Sequence, residues 1–294
     1  MKQKRLGGLF AAAVFLLCAV MTGTYLIAGY GAYLDSDMAS ELALASHLAG
    51  EGKLISGTWV YSTEVRVLST QLVFTPLMAL FPHNWRLVRT LGCLILQAAL
   101  AASAYFCGRS LGARKRFALL FAGLSISVCS VVYAQMITIG AYYVPHAVLT
   151  NLYVGLTARL MTERKHGRRR GILALLIALS VLMGASSIRY LFCATIPAAA
   201  AGVWAYLFPA GDESAPREER DKTGFLLTLT GLVFSVSGFL IGQKILPKIC
   251  DYDAARYGGV RLSAFTSADM PEMMQQALGG LARLMGYSEG SVLL

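Results

Sequence analysis

The chain has 294 residues, of which 56% are hydrophobic and only 14% charged. A soluble domain carries about 25% charged residues, so this composition excludes a soluble globular protein and points to the membrane. The net charge of +10 would suit a nucleic-acid binder, but the basic residues lie in connectors between apolar runs, which assigns the charge to topology instead.

Lys2, Lys4 and Arg5 precede an apolar run from Leu9 to Gly31. A signal-peptide core spans roughly 7–15 residues, so this longer run is read as an uncleaved first helix. Directly behind it comes the polar stretch Asp35 to Arg66, which opens with Asp35-Ser36-Asp37. These are favoured N-cap residues, and negative charge suits a helix N-terminus. Carboxylates concentrated beside a membrane also suit chemistry, so capping and catalysis both stand at this point. Met38, Leu42, Ala45 and Leu48 recur at helical spacing, which predicts an amphipathic helix over 37–50 lying in the interface. Gly50, Gly52 and Gly57 punctuate its end. The apolar segment Leu68 to Phe81 has only 14 residues and suits an interfacial or re-entrant element. Trp59, Tyr61 and Trp85 fit an aromatic belt at headgroup level.

Runs of about 20 apolar residues mark a span. By that rule seven are expected, at 9–31, 86–107, 117–136, 142–161, 171–188, 190–208 and 224–246. The expected fold is therefore an all-α, multi-pass transmembrane domain over 1–294, with a first outer loop at 32–85 and an outer tail at 247–294. Sixteen of the 26 basic residues fall in the connectors on the N-terminal side, notably Arg109–Arg116 and Arg164–Arg170. The positive-inside rule then puts the N-terminus in the cytoplasm and Asp35–Arg66 outside a cell membrane. Ten of the sixteen acids lie on that outer side.

Farther along, Tyr142-Tyr143-Val144-Pro145-His146 places His146 at the outer start of a span, either packing or facing a cavity. Arg189 sits in the short outer connection Ser186–Tyr190, where it either snorkels to lipid phosphate or holds a phosphate within the protein. The loop 209–223 reads as a flexible connector, and 270–285 as another interfacial helix with Pro271 in its first turn. Ser291–Leu294 resembles the start of a further apolar run, which predicts an incomplete chain or a partner that supplies the rest. The six cysteines sit singly, without CxxC or Cys/His spacing, so neither a zinc site nor a disulfide framework is indicated.

A first span leading into an outward Asp35-Ser36-Asp37, an interfacial helix behind it, and a further acid, Glu64, about thirty residues on resemble the GT-C superfamily of membrane glycosyltransferases. The likeness is to the protein O-mannosyltransferase and aminoarabinose-transferase branch. It covers roughly residues 1–110, and it differs in having Asp-Ser-Asp where an Asp-Glu pair is commoner. The resemblance implies transfer of a sugar from a polyprenyl-phosphate donor to an acceptor on the extracytoplasmic face. Asp35, Asp37 and Glu64 become the candidate catalytic acids, with Arg189, Arg66, Arg89 and His146 the candidates for the donor phosphate. A positioned carboxylate can take the acceptor's proton, while a cation offsets the charge growing on the leaving phosphate. Asp35 and Asp37 are also oxygen ligands of the kind Mg²⁺ or Mn²⁺ takes, although the resemblance implies a branch that works without metal. A non-catalytic membrane subunit and a transporter or flippase of a lipid-linked sugar are the alternatives.

Overall fold

The computed structural model describes residues 2–29, 35–61, 67–163, 165–208, 218–250 and 270–284. Every extended regular element among them is helical. The first helix, α1 (Lys2–Gly29), is followed by the amphipathic α2 (Ser36–Glu51) and the short α3 (Gln71–Leu80). Then come α4 (Trp85–Ser110), α5 (Lys115–Ile126) and α6 (Val131–Tyr133), the last running on as a π-helical segment, Ala134–Ile139. The remainder is α7 (Val144–Thr162), α8 (His166–Ser186), a π segment at Leu191–Thr195 leading into α9 (Ile196–Leu207), α10 (Glu218–Ile249) and α11 (Met270–Leu284).

Local sequence explains most boundaries. Asp35, in extended conformation, caps α2 by accepting the Met38 N–H at 2.8 Å. Gly52 ends the same helix in the left-handed region at φ 65°, a conformation that suits glycine. The periodic residues Met38, Leu42, Ala45 and Leu48 are the buried face of α2, as their spacing predicts. Asn84 caps α4 through Leu87 N–H at 3.0 Å, and Pro145 sits in the first turn of α7, where its missing N–H costs nothing.

The expectation of seven spans is met only in part. Among the described residues four helices are long and apolar enough to cross a membrane: Leu6–Ala28, Trp85–Ser110, His166–Ser186 and Gly224–Ile249. A fifth crossing results if Lys115–Ile126 and Val131–Ile139 count as one span, but they meet at 86°. Composition conceals this break, because Ser127-Val128-Cys129-Ser130 is as apolar as its flanks. The structure satisfies the freed backbone with side chains, as a low-dielectric setting requires. Thr22 Oγ1 donates to the Ile126 carbonyl at 2.7 Å, the Tyr133 hydroxyl donates to Ser125, and Ser130 Oγ accepts Tyr133 N–H at 3.0 Å. The expected spans at 142–161 and 190–208 correspond to α7 and to Leu191–Leu207. Pro145, His146, Asn151 and Arg159 make α7 more polar than a lipid-facing span, and Leu191–Leu207 is apolar but shorter.

Successive helices run between two ends of the bundle. At one end Arg159 Nε reaches Ser110 Oγ at 3.2 Å and its guanidinium lies over Phe106, so the end of α4 and the end of α7, each leading into a basic connector, meet there. At the other end are α2, α3, the exit of the broken span and the turn after α8. Two cores fill the space between. One joins α1–α5 to the π segment, and the other joins α7, α8, the second π segment and α10.

Candidate functional site

A cavity of about 480 Å³ opens at the end of the bundle opposite the basic connectors. One wall is α2, which contributes Asp35, Asp37, Ser40 and Glu41. The facing wall comes from the broken span and the turn behind it: Gln135, Met136, Tyr142 and Tyr143. Arg189 enters from the turn after α8, and Leu54, Ile55, Trp59 and Tyr61 of the loop after α2 give an apolar side.

The charges in and beneath this cavity are in different states. Glu41 is engaged on both oxygens: Oε1 accepts the Thr70 hydroxyl, and Oε2 pairs with Arg89 Nη1 at 2.5 Å. Asp35 Oδ1 accepts both Met38 N–H and the Tyr142 hydroxyl, the latter at 2.7 Å, and no hydrogen bond to Oδ2 is found among the described residues. Burial, then the hydrogen bond to Asp35 and the charge on that carboxylate, raise the Tyr142 phenol above its ordinary value. The phenol is therefore held as a donor and Asp35 as its acceptor. Asp37 stands exposed in the first turn of α2. Arg189 is half-buried, its Cζ 5.4 Å from the Tyr143 ring centroid, and its backbone N–H is held by Ser187 Oγ at 3.1 Å.

Of the residues singled out from sequence, Asp35, Asp37 and Arg189 line the same cavity. Arg89 does not. The resemblance makes it a candidate for the donor phosphate, yet it is 2% exposed beneath the cavity, with Phe74 against its guanidinium at 4.9 Å. Its charge serves Glu41 and two backbone carbonyls instead. His146 stacks on Tyr190 at 4.7 Å and tilts against Tyr143 at 5.8 Å, one layer behind the cavity wall. Glu64 and Arg66 lie outside the described residues. Among those described, no three His, Cys, Asp or Glu side chains converge to hold a metal ion. Asp35 Oδ1 already accepts two hydrogen bonds, so a cation at this pair would meet Asp35 through Oδ2.

Sequence reasoning missed Glu41 and Tyr142 as site residues. Glu41 lies one helical turn past Asp37, a spacing that puts both on one face and could have drawn attention to it. Tyr142 carries no such signal, because its partner lies 107 positions away.

A second polar cluster braces the loop that roofs the cavity. His47 Nε2 lies 3.0 Å from Ser56 Oγ, 2.9 Å from Thr58 Oγ1 and 3.2 Å from Glu51 Oε1. The Thr58 hydroxyl donates to Glu51 at 2.7 Å, and Ser56 N–H donates to the Tyr61 hydroxyl at 3.0 Å. Hydroxyls of Thr58 and Ser56 hold the Glu51 carboxyl below its ordinary value, while burial pushes the Tyr61 phenol up.

Fold and site together define a helical membrane protein with a polar cavity at one end of its bundle. No protein-family model matches the chain, and neither a curated protein nor a solved structure matches it significantly.

Proposed function

We propose that the chain is a membrane glycosyltransferase of GT-C type, moving a sugar from a polyprenyl-phosphate donor to an acceptor hydroxyl on the extracytoplasmic face. The observation that carries this reading is the meeting of Asp35, Asp37 and Arg189 in one cavity at the end away from the basic connectors. With the positive-inside rule, that end faces outward, away from nucleotide sugars and beside the headgroups of a lipid carrier. Asp35 is the acceptor's base: Oδ1 is anchored by Met38 and Tyr142, leaving Oδ2 for the proton. The acceptor oxygen attacks the anomeric carbon, the bond from that carbon to the phosphate oxygen breaks, and the lipid phosphate departs with its new charge offset by Arg189. Asp37, exposed beside Asp35, orients the acceptor.

Purified protein given a polyprenyl-phosphate sugar and an acceptor should release free polyprenyl phosphate. Turnover with a soluble nucleotide sugar and no lipid carrier would overturn the reading. Orientation is tested separately: an impermeant thiol reagent should label a cysteine introduced at Ser40 in intact cells and spare one at Ala215. The broken span favours one other reading, a transporter of a lipid-linked sugar, since interrupted helices commonly flank transport sites. That reading expects movement of the intact lipid-linked sugar across a proteoliposome without cleavage, unaffected by Asp35→Asn.

A further inference from the structure

The cavity's two walls are joined beneath by one side chain. Arg89 Nη1 holds Glu41 Oε2 of α2 at 2.5 Å, while Nη2 donates to the Ile139 carbonyl at 2.7 Å and to Gly140 at 2.5 Å. Those two carbonyls belong to the point where the broken span ends and the chain turns into α7. Cys93 and Gln97, one and two turns farther along the same face of α4, extend the contact. Cys93 Sγ donates to Ile139 at 3.3 Å, and Gln97 Nε2 donates to Ile137 at 2.6 Å. Three residues of one helix face thus receive the carbonyls freed by the π segment.

The turn they hold is unusual. A Cβ at Gly140 would overlap the Gln135 carbonyl oxygen, so only glycine fits there. Ala141, fully buried, has φ 56°, a left-handed conformation that an L residue keeps only where its surroundings impose it. The next residue is Tyr142, whose hydroxyl meets Asp35. Asp35 caps α2, and Glu41 lies farther along that helix, which closes a ring: Arg89, Gly140, Tyr142, Asp35, Glu41 and Arg89 again.

We infer that Arg89 is a positioning residue, whose planar guanidinium fixes the gap between the two cavity walls and so sets the place of the Asp35 carboxylate. A lysine at this position cannot do the same, because a point charge does not present a carboxylate and two carbonyls with donors in one rigid plane. Only the kinetic arm of the test rests on the transfer reading above.

Hydrogen exchange read by mass spectrometry on the full chain in nanodiscs tests the ring. Arg89→Lys should speed exchange about tenfold in both 36–42 and 134–144, the scale of one lost charged hydrogen bond, and leave 166–186 at its wild-type rate. Glu41→Gln should loosen 36–42 while 134–144 stays protected, because Arg89 keeps its carbonyls. The exchanged pair Arg89→Glu with Glu41→Arg retains an ion pair but sets a carboxylate against two carbonyls, so 134–144 should remain loose. If that exchanged pair restores both segments, Arg89 is only an ion-pair partner and the inference fails. Wild-type exchange at 134–144 in Arg89→Lys overturns it equally. Tyr142→Phe leaves every buried charge in place and probes the ring independently: faster exchange at 36–39 supports it, and an unchanged rate breaks it. Where turnover is measurable, Arg89→Lys should lower kcat about tenfold at unchanged KM, since the base is displaced and not the substrate contacts. A wild-type protein without turnover would refute the transfer reading and leave the exchange results to decide the ring.

Discussion

Around α2, α4 and the broken span, helices meet through charge and hydrogen bonds; around α8 and α10 they meet through glycine. In the first region Glu41, Arg89, Gln97 and Tyr142 reach across element boundaries to carboxylates and free carbonyls. In the second, a methyl at Gly184 would overlap the Ser235 carbonyl, one at Gly238 the Val181 carbonyl, and one at Gly231 the Tyr153 hydroxyl. Close backbone approach of this kind is how helices associate where lipid removes the hydrophobic drive between them. The contrast assigns different work to the two regions. A glycine seam fixes two helices against each other and offers a solute nothing to bind. The polar region fixes irregular backbone, and the same groups that satisfy that backbone line or underlie the cavity.

The sharpest way to break this division is at Asp35. Asn caps a helix about as well as Asp, so Asp35→Asn should leave the melting temperature nearly unchanged. Loss of the charge beside the helix N-terminus costs only about 0.3–1 kcal/mol. If Asp35 is the base, transfer should nevertheless fall about 10²–10⁴-fold, measured as polyprenyl phosphate released. Wild-type turnover in this variant would falsify the assignment, and a large loss of stability with proportionate loss of activity would return Asp35 to a capping role.

Next in size is Glu41→Ala. It leaves the Arg89 charge, 2% exposed, without its carboxylate, and removing one partner of a buried pair costs about 3–5 kcal/mol. Unfolding in detergent should reveal that loss. A variant as stable as wild type would mean that the carbonyls of Ile139 and Gly140 suffice for Arg89, and that α2 is held by its apolar face alone.

How far these features were legible in the sequence follows the same division. The amphipathic α2 was readable because its cap and its periodic face are local, within Asp35–Leu48. So were α3, α11 and most of the apolar helices. The 86° break was not, since its cause lies in partners elsewhere, Thr22 for one, and not in the composition of 127–130. Arg89 is a donor-phosphate candidate only through the resemblance, since nothing near it in sequence marks it as buried. Its actual partner precedes it by 48 positions, a pairing no local pattern records. Asp35 and Arg189 could each be named as candidates, but that they share one cavity became visible only in three dimensions.

The glycine seam gives a smaller, graded effect. Gly184→Ala forces a methyl onto backbone that cannot step aside, and overpacking of this kind costs about 1–3 kcal/mol. Gly23→Ala on α1 is the matched control, because nothing lies within 4 Å of its added methyl. There the better helix propensity of alanine should stabilise by about 0.5–1 kcal/mol. Thermal unfolding of the two variants side by side should move in opposite directions. Equal shifts would show that helix propensity, not close approach, governs the α8–α10 contact.

The smallest expected effect separates the two regions by pH. Glu51 has its carboxyl lowered from 4.5, first by the Thr58 hydroxyl and then by Ser56, against an opposing effect of burial, with Lys53 and His47 each lowering it less. A carboxyl whose folded value is depressed favours the fold when ionised. Its contribution is therefore fully present above 4.5 and disappears as pH falls through the lowered value. Glu51 accepts the Thr58 hydroxyl, and its neighbour His47 lies 5.7 Å from the Trp59 ring, so loosening should register first in the loop roofing the cavity. Hydrogen exchange across 52–61 should rise as pH drops below 4.5, after correction for the intrinsic pH dependence of exchange. The Gly184–Ser235 seam has no titratable group at its contact and should show no matching step. Glu51→Gln supplies the comparison: it should exchange faster at neutral pH and respond less to acid. A step of equal size in that variant would trace the acid response to another carboxylate and leave Glu51 without a part in holding the roof.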